Sequence, residues 1–166
     1  GFESATLGRW RALGDFAPLR VAAPAHTGEG ALRLGPEGEE AAFGFSAAAR
    51  AFPVSDAIRS GTLSVWLRAE RPLGGDAFVL EWRRVGSGVR QVLLDGAALG
   101  PVGQWRNAVV PLDRAQLGDG GPSELYAALL HRGGEAPSAV LIDDVTLSLC
   151  RDGLVSALIP SASRPQ

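Results

Sequence analysis

Short runs of alternating apolar and polar residues, each closed by glycine or proline, repeat along most of the chain. In "TLSVWLR", Leu63, Val65 and Leu67 share one side, and Thr62, Ser64, Trp66 and Arg68 share the other. In "AFVLEWRR", Phe78, Leu80 and Trp82 form the apolar side, with Val79, Glu81 and Arg83 opposite. The same period predicts strands at residues 10–13, 19–23, 31–34, 41–47, 62–68, 77–84, 89–94, 105–112, 125–131 and 140–149. Turn signals such as "TGEG", "PLGGD", "VGSG" and "RGGEAPS" separate them. Helical pattern is scarce. "SAAARAF" and "VSDAIRSG" each offer a turn or two, and "DRAQLG" offers one with Asp113 as its N-cap. Many short strands between Gly/Pro turns predict an all-β sandwich or barrel.

Two details complicate this pattern. "AVLIDDVTLSLC" alternates well, but Asp143 falls on the same side as Val145, Leu147 and Leu149. A buried, unpaired carboxylate is costly, so Asp143 needs a partner: an Arg, amide hydrogens at a bulge, or a cation. Trp66 lies on the polar side of its strand. If the two strands are neighbours, Trp66, Arg68, Glu81 and Arg83 form one face on which a ring stacks on sugar C–H bonds and charged groups bridge hydroxyls. The competing reading packs Trp66 under a loop or a second layer. Trp10 and Trp105 read as packing residues.

The 166 residues suit one domain, expected over residues 1–150, with residues 151–166, rich in Pro and Ser, as a tail or linker. A formal net charge of −2 gives no electrostatic case for nucleic acid or an anionic membrane. All 16 basic residues are Arg and are scattered along the chain. No apolar run approaches the ~20 residues of a membrane span. With Cys150 as the single cysteine, an intrachain disulfide is impossible, and Cys150 reads as a small buried hydrophobe. The chain starts at Gly1 and has no Met, which leads us to expect a processed or excised chain.

No catalytic constellation stands out. His26 and His131 belong to no metal-spaced cluster and read as solvated residues. Ser87 in "VGSGV" lacks the strand–elbow–helix context of a hydrolase, and "GDGGPS" lacks the helix of a phosphate loop. A lyase would need Tyr126 or His131 as base beside a charge-neutralising group, and strand parity points these two in opposite directions.

"GFESATLGRW", "AHTGEGALRL", "GTLSVWLRAE", "GQWRNAVVPLD" and "AVLIDDVTL" occur in this order. Together they resemble the galactose-binding-like jelly-roll domains, which include many carbohydrate-binding modules. The resemblance runs from Gly1 to Leu149. It implies an antiparallel β-sandwich of jelly-roll type. It also implies a non-catalytic module that binds a polysaccharide or oligosaccharide within a larger secreted, periplasmic or cell-surface protein, with further domains of that protein as partners. The alternative is a structural or protein-interaction sandwich without a sugar. The resemblance further implies a structural calcium ion joining the first strand to the last. Glu3 and Asp143 would be carboxylate ligands, and the turn through Glu29 would complete the oxygen shell.

Overall fold

The computed structural model describes residues 9–36, 43–118, 121–132 and 138–151. Among these residues ten strands follow one another: β1 (Trp10–Gly14), β2 (Leu19–Val21), β3 (Ala31–Leu34), β4 (Gly44–Val54), β5 (Ile58–Ala69), β6 (Phe78–Arg84), β7 (Arg90–Asp95), β8 (Arg106–Leu112), β9 (Gly121–His131) and β10 (Val140–Arg151). They form two five-stranded sheets, β1-β4-β9-β6-β7 and β2-β3-β10-β5-β8. Every neighbouring pair is antiparallel. The fold is the expected β-sandwich.

The two apolar faces read from alternation meet between the sheets. Leu63, Val65 and Leu67 of β5 pack in one core with Phe78, Leu80 and Trp82 of β6, Leu125, Ala127 and Leu129 of β9, and Trp10 of β1. Phe52 stacks on Trp82 with ring centroids 5.9 Å apart. Burying such rings is worth about 1.5–3 kcal/mol each by area alone, so this layer dominates the stability.

Each expected strand exists, but several limits move. "SAAARAF" and "VSDAIRSG" are not helical; they lie in β4 and at the start of β5. Alanine favours helix in isolation, yet β4 is hydrogen-bonded to β1 on one side and β9 on the other, and those two ladders override the preference. The expected turn after Leu112 is present as α1 (Arg114–Leu117). Asp113 accepts from Gln116 N, and the Gln116 side chain accepts from Asp113 N, forming a capping box.

Among the single residues, Trp10 is in the core and Trp105 is half-buried just before β8. Val109 points out at 60% exposure, and its neighbours Ala108 and Val110 pack against the core instead. Cys150 is exposed, not buried, because it alternates onto the outer side of β10 with Thr146 and Ser148, while Leu147 and Leu149 pack against the core. His131 is buried, with Phe16 edge-on to its ring, and His26 is half-buried, so neither histidine is a solvated surface residue.

Candidate functional site

Asp143 is fully buried, and amide hydrogens solve its burial problem. Val140 and Ile142 belong to the inter-sheet core, and Val145 and Leu147 pack against it. A bulge between Asp143 and Thr146, with Asp144 at φ 45°, places two residues between these core positions. Simple alternation therefore fails here, and Asp143 lies on the outer side of its sheet, directly opposite Trp66. The loop between β2 and β3 folds over it. His26 N and Thr27 N donate to Asp143 Oδ2 at 3.0 and 3.2 Å, and Asp144 N donates to Oδ1 at 2.8 Å. Two of these amides come from the β2–β3 loop and one from the bulge itself.

Asp144 holds the same loop from outside. His26 Nδ1 lies 2.8 Å from Asp144 Oδ2, and the Thr27 hydroxyl donates to the same carboxylate. Burial works to raise the Asp144 carboxyl, but the bonds from His26 and Thr27 together with nearby positive charge hold the group below its ordinary value. The His26 ring then stacks on Trp66, centroids 3.6 Å apart and planes 16° from parallel, and meets Trp105 edge-on at 5.8 Å. Trp66 is thus covered on one face by a loop residue.

The single face expected from Trp66, Arg68, Glu81 and Arg83 does not form. Trp66 and Arg68 belong to β5 in one sheet, and Glu81 and Arg83 belong to β6 in the other. Both pairs point away from the core, so they lie on opposite outer surfaces. Consecutive strands in a sandwich often cross to the other sheet, and periodicity carries no information about that crossing.

Glu81 and Arg83 do stand in an organised polar row on the β1-β4-β9-β6-β7 sheet. Register places Arg11, Ala49, Tyr126, Glu81 and Val92 in line across its outer face, and Ala51, Glu124, Arg83 and Arg90 in the next line. The Arg83 guanidinium pairs with Glu81 at 2.7 Å and lies over the Tyr126 ring, 3.2 Å from Cζ to the centroid. Tyr126 rests in a small apolar cluster with Ala47, Ala49, Leu13 and Ala128. Arg11 pairs with Glu124 at 3.2 Å. Where β6 turns into β7, a trough of about 380 Å³ opens, lined by Arg11, Arg83, Arg84, Arg90 and Glu124. That is within the ~300–1,000 Å³ span of small-molecule sites.

Arg11, Glu124, Arg84 and Arg90 were not singled out as site residues from sequence, and Tyr126 was considered only as the base of a lyase. The short "VGSG" turn would have placed Arg90 opposite Arg83. The pairing of β6 with β9, far apart in the chain, leaves no such mark.

Two of the three expected metal ligands fall within the described residues, Asp143 beneath the β2–β3 loop and Glu29 on that same loop. Glu3 lies outside the described residues. Glu29 is exposed on the β2–β3 loop. The adjacency expected of the first and last strands does not hold for β1, since β10 pairs with β3 and β5 in the other sheet. Among the described residues no group of three or more His, Cys, Asp or Glu is gathered to hold a metal. No described helix is long and apolar enough to cross a membrane.

No family model and no curated protein sequence matches the chain. Solved structures do. A family 61 carbohydrate-binding module, TmCBM61, in complex with β-1,4-galactotriose superimposes with a TM-score of 0.60 at 19% identity, over 92% of this chain and 94% of that one. The CBM22-1 xylan-binding domain of Paenibacillus barcinonensis Xyn10C gives 0.55 at 19% identity, over 92% of each chain. The enzymatically active domain of the bacteriophage CBA120 tailspike protein 4 gives 0.59 at 9% identity, over 90% of this chain but 21% of that one. The chain therefore has the jelly-roll β-sandwich fold found in carbohydrate-binding modules.

Proposed function

We propose that this chain is a non-catalytic carbohydrate-binding module, part of a larger secreted, periplasmic or cell-surface protein. Its polysaccharide or oligosaccharide ligand lies along the outer face of the β1-β4-β9-β6-β7 sheet. The observation that carries this is the Arg83 guanidinium, fixed between Glu81 and the Tyr126 ring at the wall of an open trough. A fixed planar donor beside paired carboxylates suits sugar hydroxyls, which both donate and accept. The fold shared with sugar-binding modules supports the same reading. Isothermal titration against neutral and acidic plant and bacterial glycans tests it, with Arg83→Ala as the site variant. Binding abolished in the variant is the expected result, and no binding to any glycan overturns the proposal.

A second reading, a structural or protein-interaction sandwich, is favoured by one observation: the aromatic plate expected at Trp66 is occupied by His26. A glycan panel that is silent throughout would select it.

A structural calcium ion on Glu3, Glu29 and Asp143 is a separate proposal. The oxygen donors suit calcium, but three N–H bonds already compensate Asp143, so its burial does not demand a cation. The described carboxylates alone do not fit a calcium cage, and the proposal rests on Glu3 and main-chain carbonyls. Melts with calcium and with chelator test it. An ion at 100 times its dissociation constant adds about 2.7 kcal/mol, and identical melts remove it.

A further inference from the structure

We propose that the trough at the β6–β7 turn selects glycans carrying anionic groups, uronic-acid carboxylates or sulfate esters; this rests on the carbohydrate reading above. On the outer face the trough gathers three guanidiniums, Arg11, Arg83 and Arg90, around one lining carboxylate, Glu124; Arg84 also lines it, but its guanidinium turns to the other side of β6, against Gly118. Arg11 is paired with Glu124, and Arg83 with Glu81. Arg90 has no carboxylate partner among the described residues, so one positive charge in the trough is uncompensated. The whole chain is formally −2, so this positive site is local and not a by-product of a basic protein.

Arg83 is also held in place, fixed by Glu81 and Tyr126. Gly86 and Gly88, at φ 82° and 70°, shape the turn, and neither has a heavy atom within 4 Å of where a side chain would begin. The mouth is therefore open. Exposed Val85 and Val89 flank it and offer apolar contact to the carbon face of a sugar ring. Guanidinium forks meet carboxylate and sulfate oxygens through two parallel hydrogen bonds, a geometry that a neutral hydroxyl cannot reproduce.

The test titrates oligogalacturonate, a sulfated galactan oligosaccharide, and neutral galactan and xylan oligosaccharides at low and high salt. Anionic vesicles form a fifth arm. The expected result is that one anionic sugar binds at least about tenfold more tightly than the neutral ones, the size of one charge-assisted contact. High salt should reduce that preference. Whichever of the two anionic sugars binds identifies the group. R90Q should abolish the preference. Arg90 is exposed, which guards this variant against misfolding, and R71Q, in the loop between β5 and β6, should change nothing. Equal affinity for neutral and anionic sugars overturns this inference while leaving the carbohydrate reading standing. Silence in every sugar arm overturns both, and binding to vesicles alone replaces the glycan with a membrane surface.

Discussion

The guanidinium carbon of Arg83 stands 3.2 Å from the centre of the Tyr126 ring, and its nitrogens reach Glu81 at 2.7 Å. The ring is therefore not a free stacking plate. It backs the Arg83 cation instead. Arg83→Lys separates the two properties, because an ammonium keeps the charge but loses the fork and much of the stacking. We expect Lys to bind glycan nearly as poorly as Ala, with a stability change of about 1 kcal/mol or less, the worth of an exposed cation–π contact. Titration and a melt on both variants check this. Wild-type affinity in Arg83→Lys would mean that charge alone suffices.

Asp143 gathers three amide hydrogens beneath the β2–β3 loop. Asp143→Ala leaves those donors without an acceptor in a site with no exposure, and each orphaned donor costs about 1–3 kcal/mol. We expect a loss of about 3 kcal/mol by denaturant unfolding. Asp143→Asn should lose less, because its carbonyl oxygen still accepts. A neutral Asp143→Ala would show that the loop does not depend on this carboxylate.

The strands were legible in the sequence because alternation and Gly/Pro turns are local. The helix cap at Asp113 was legible for the same reason. What escaped was non-local. Alternation gave the outward side of Trp66 and of Arg83 correctly, yet nothing in the sequence said that β5 and β6 join different sheets. Asp143 was misassigned to the core side because a bulge at Asp144 resets the count, and "IDDV" carries no glycine to announce it. The trough arginines belong to β1, β6 and β7 and meet only when those strands share a sheet.

Acid should loosen the same loop through Asp144, whose carboxyl is held below its ordinary value despite partial burial. A lowered carboxylate contributes stability that is complete above the unfolded-state value, near 3.9 for an Asp. That contribution fades as pH falls through the lower, folded value. Melting temperature should therefore drop on the acid side of about pH 4 by more in wild type than in Asp144→Asn. Parallel acid limbs in the two proteins would remove Asp144 from this role.

Trp66 tests which surface of the sandwich meets ligand. Its ring is sandwiched into the loop by His26, on the sheet opposite the trough. Truncation to Ala removes a half-buried indole and its stacking partner's support, so we expect a loss of about 1–3 kcal/mol. Glycan affinity should be unchanged, because no trough residue belongs to the Trp66 sheet and the two outer faces are separated by the core. His26→Ala should reproduce part of the stability loss through the same contact. The two measurements move independently if the trough is the site. A Trp66→Ala protein that keeps its fold but loses glycan would instead put the ligand on the β2-β3-β10-β5-β8 face, with the His26 loop displaced to admit it.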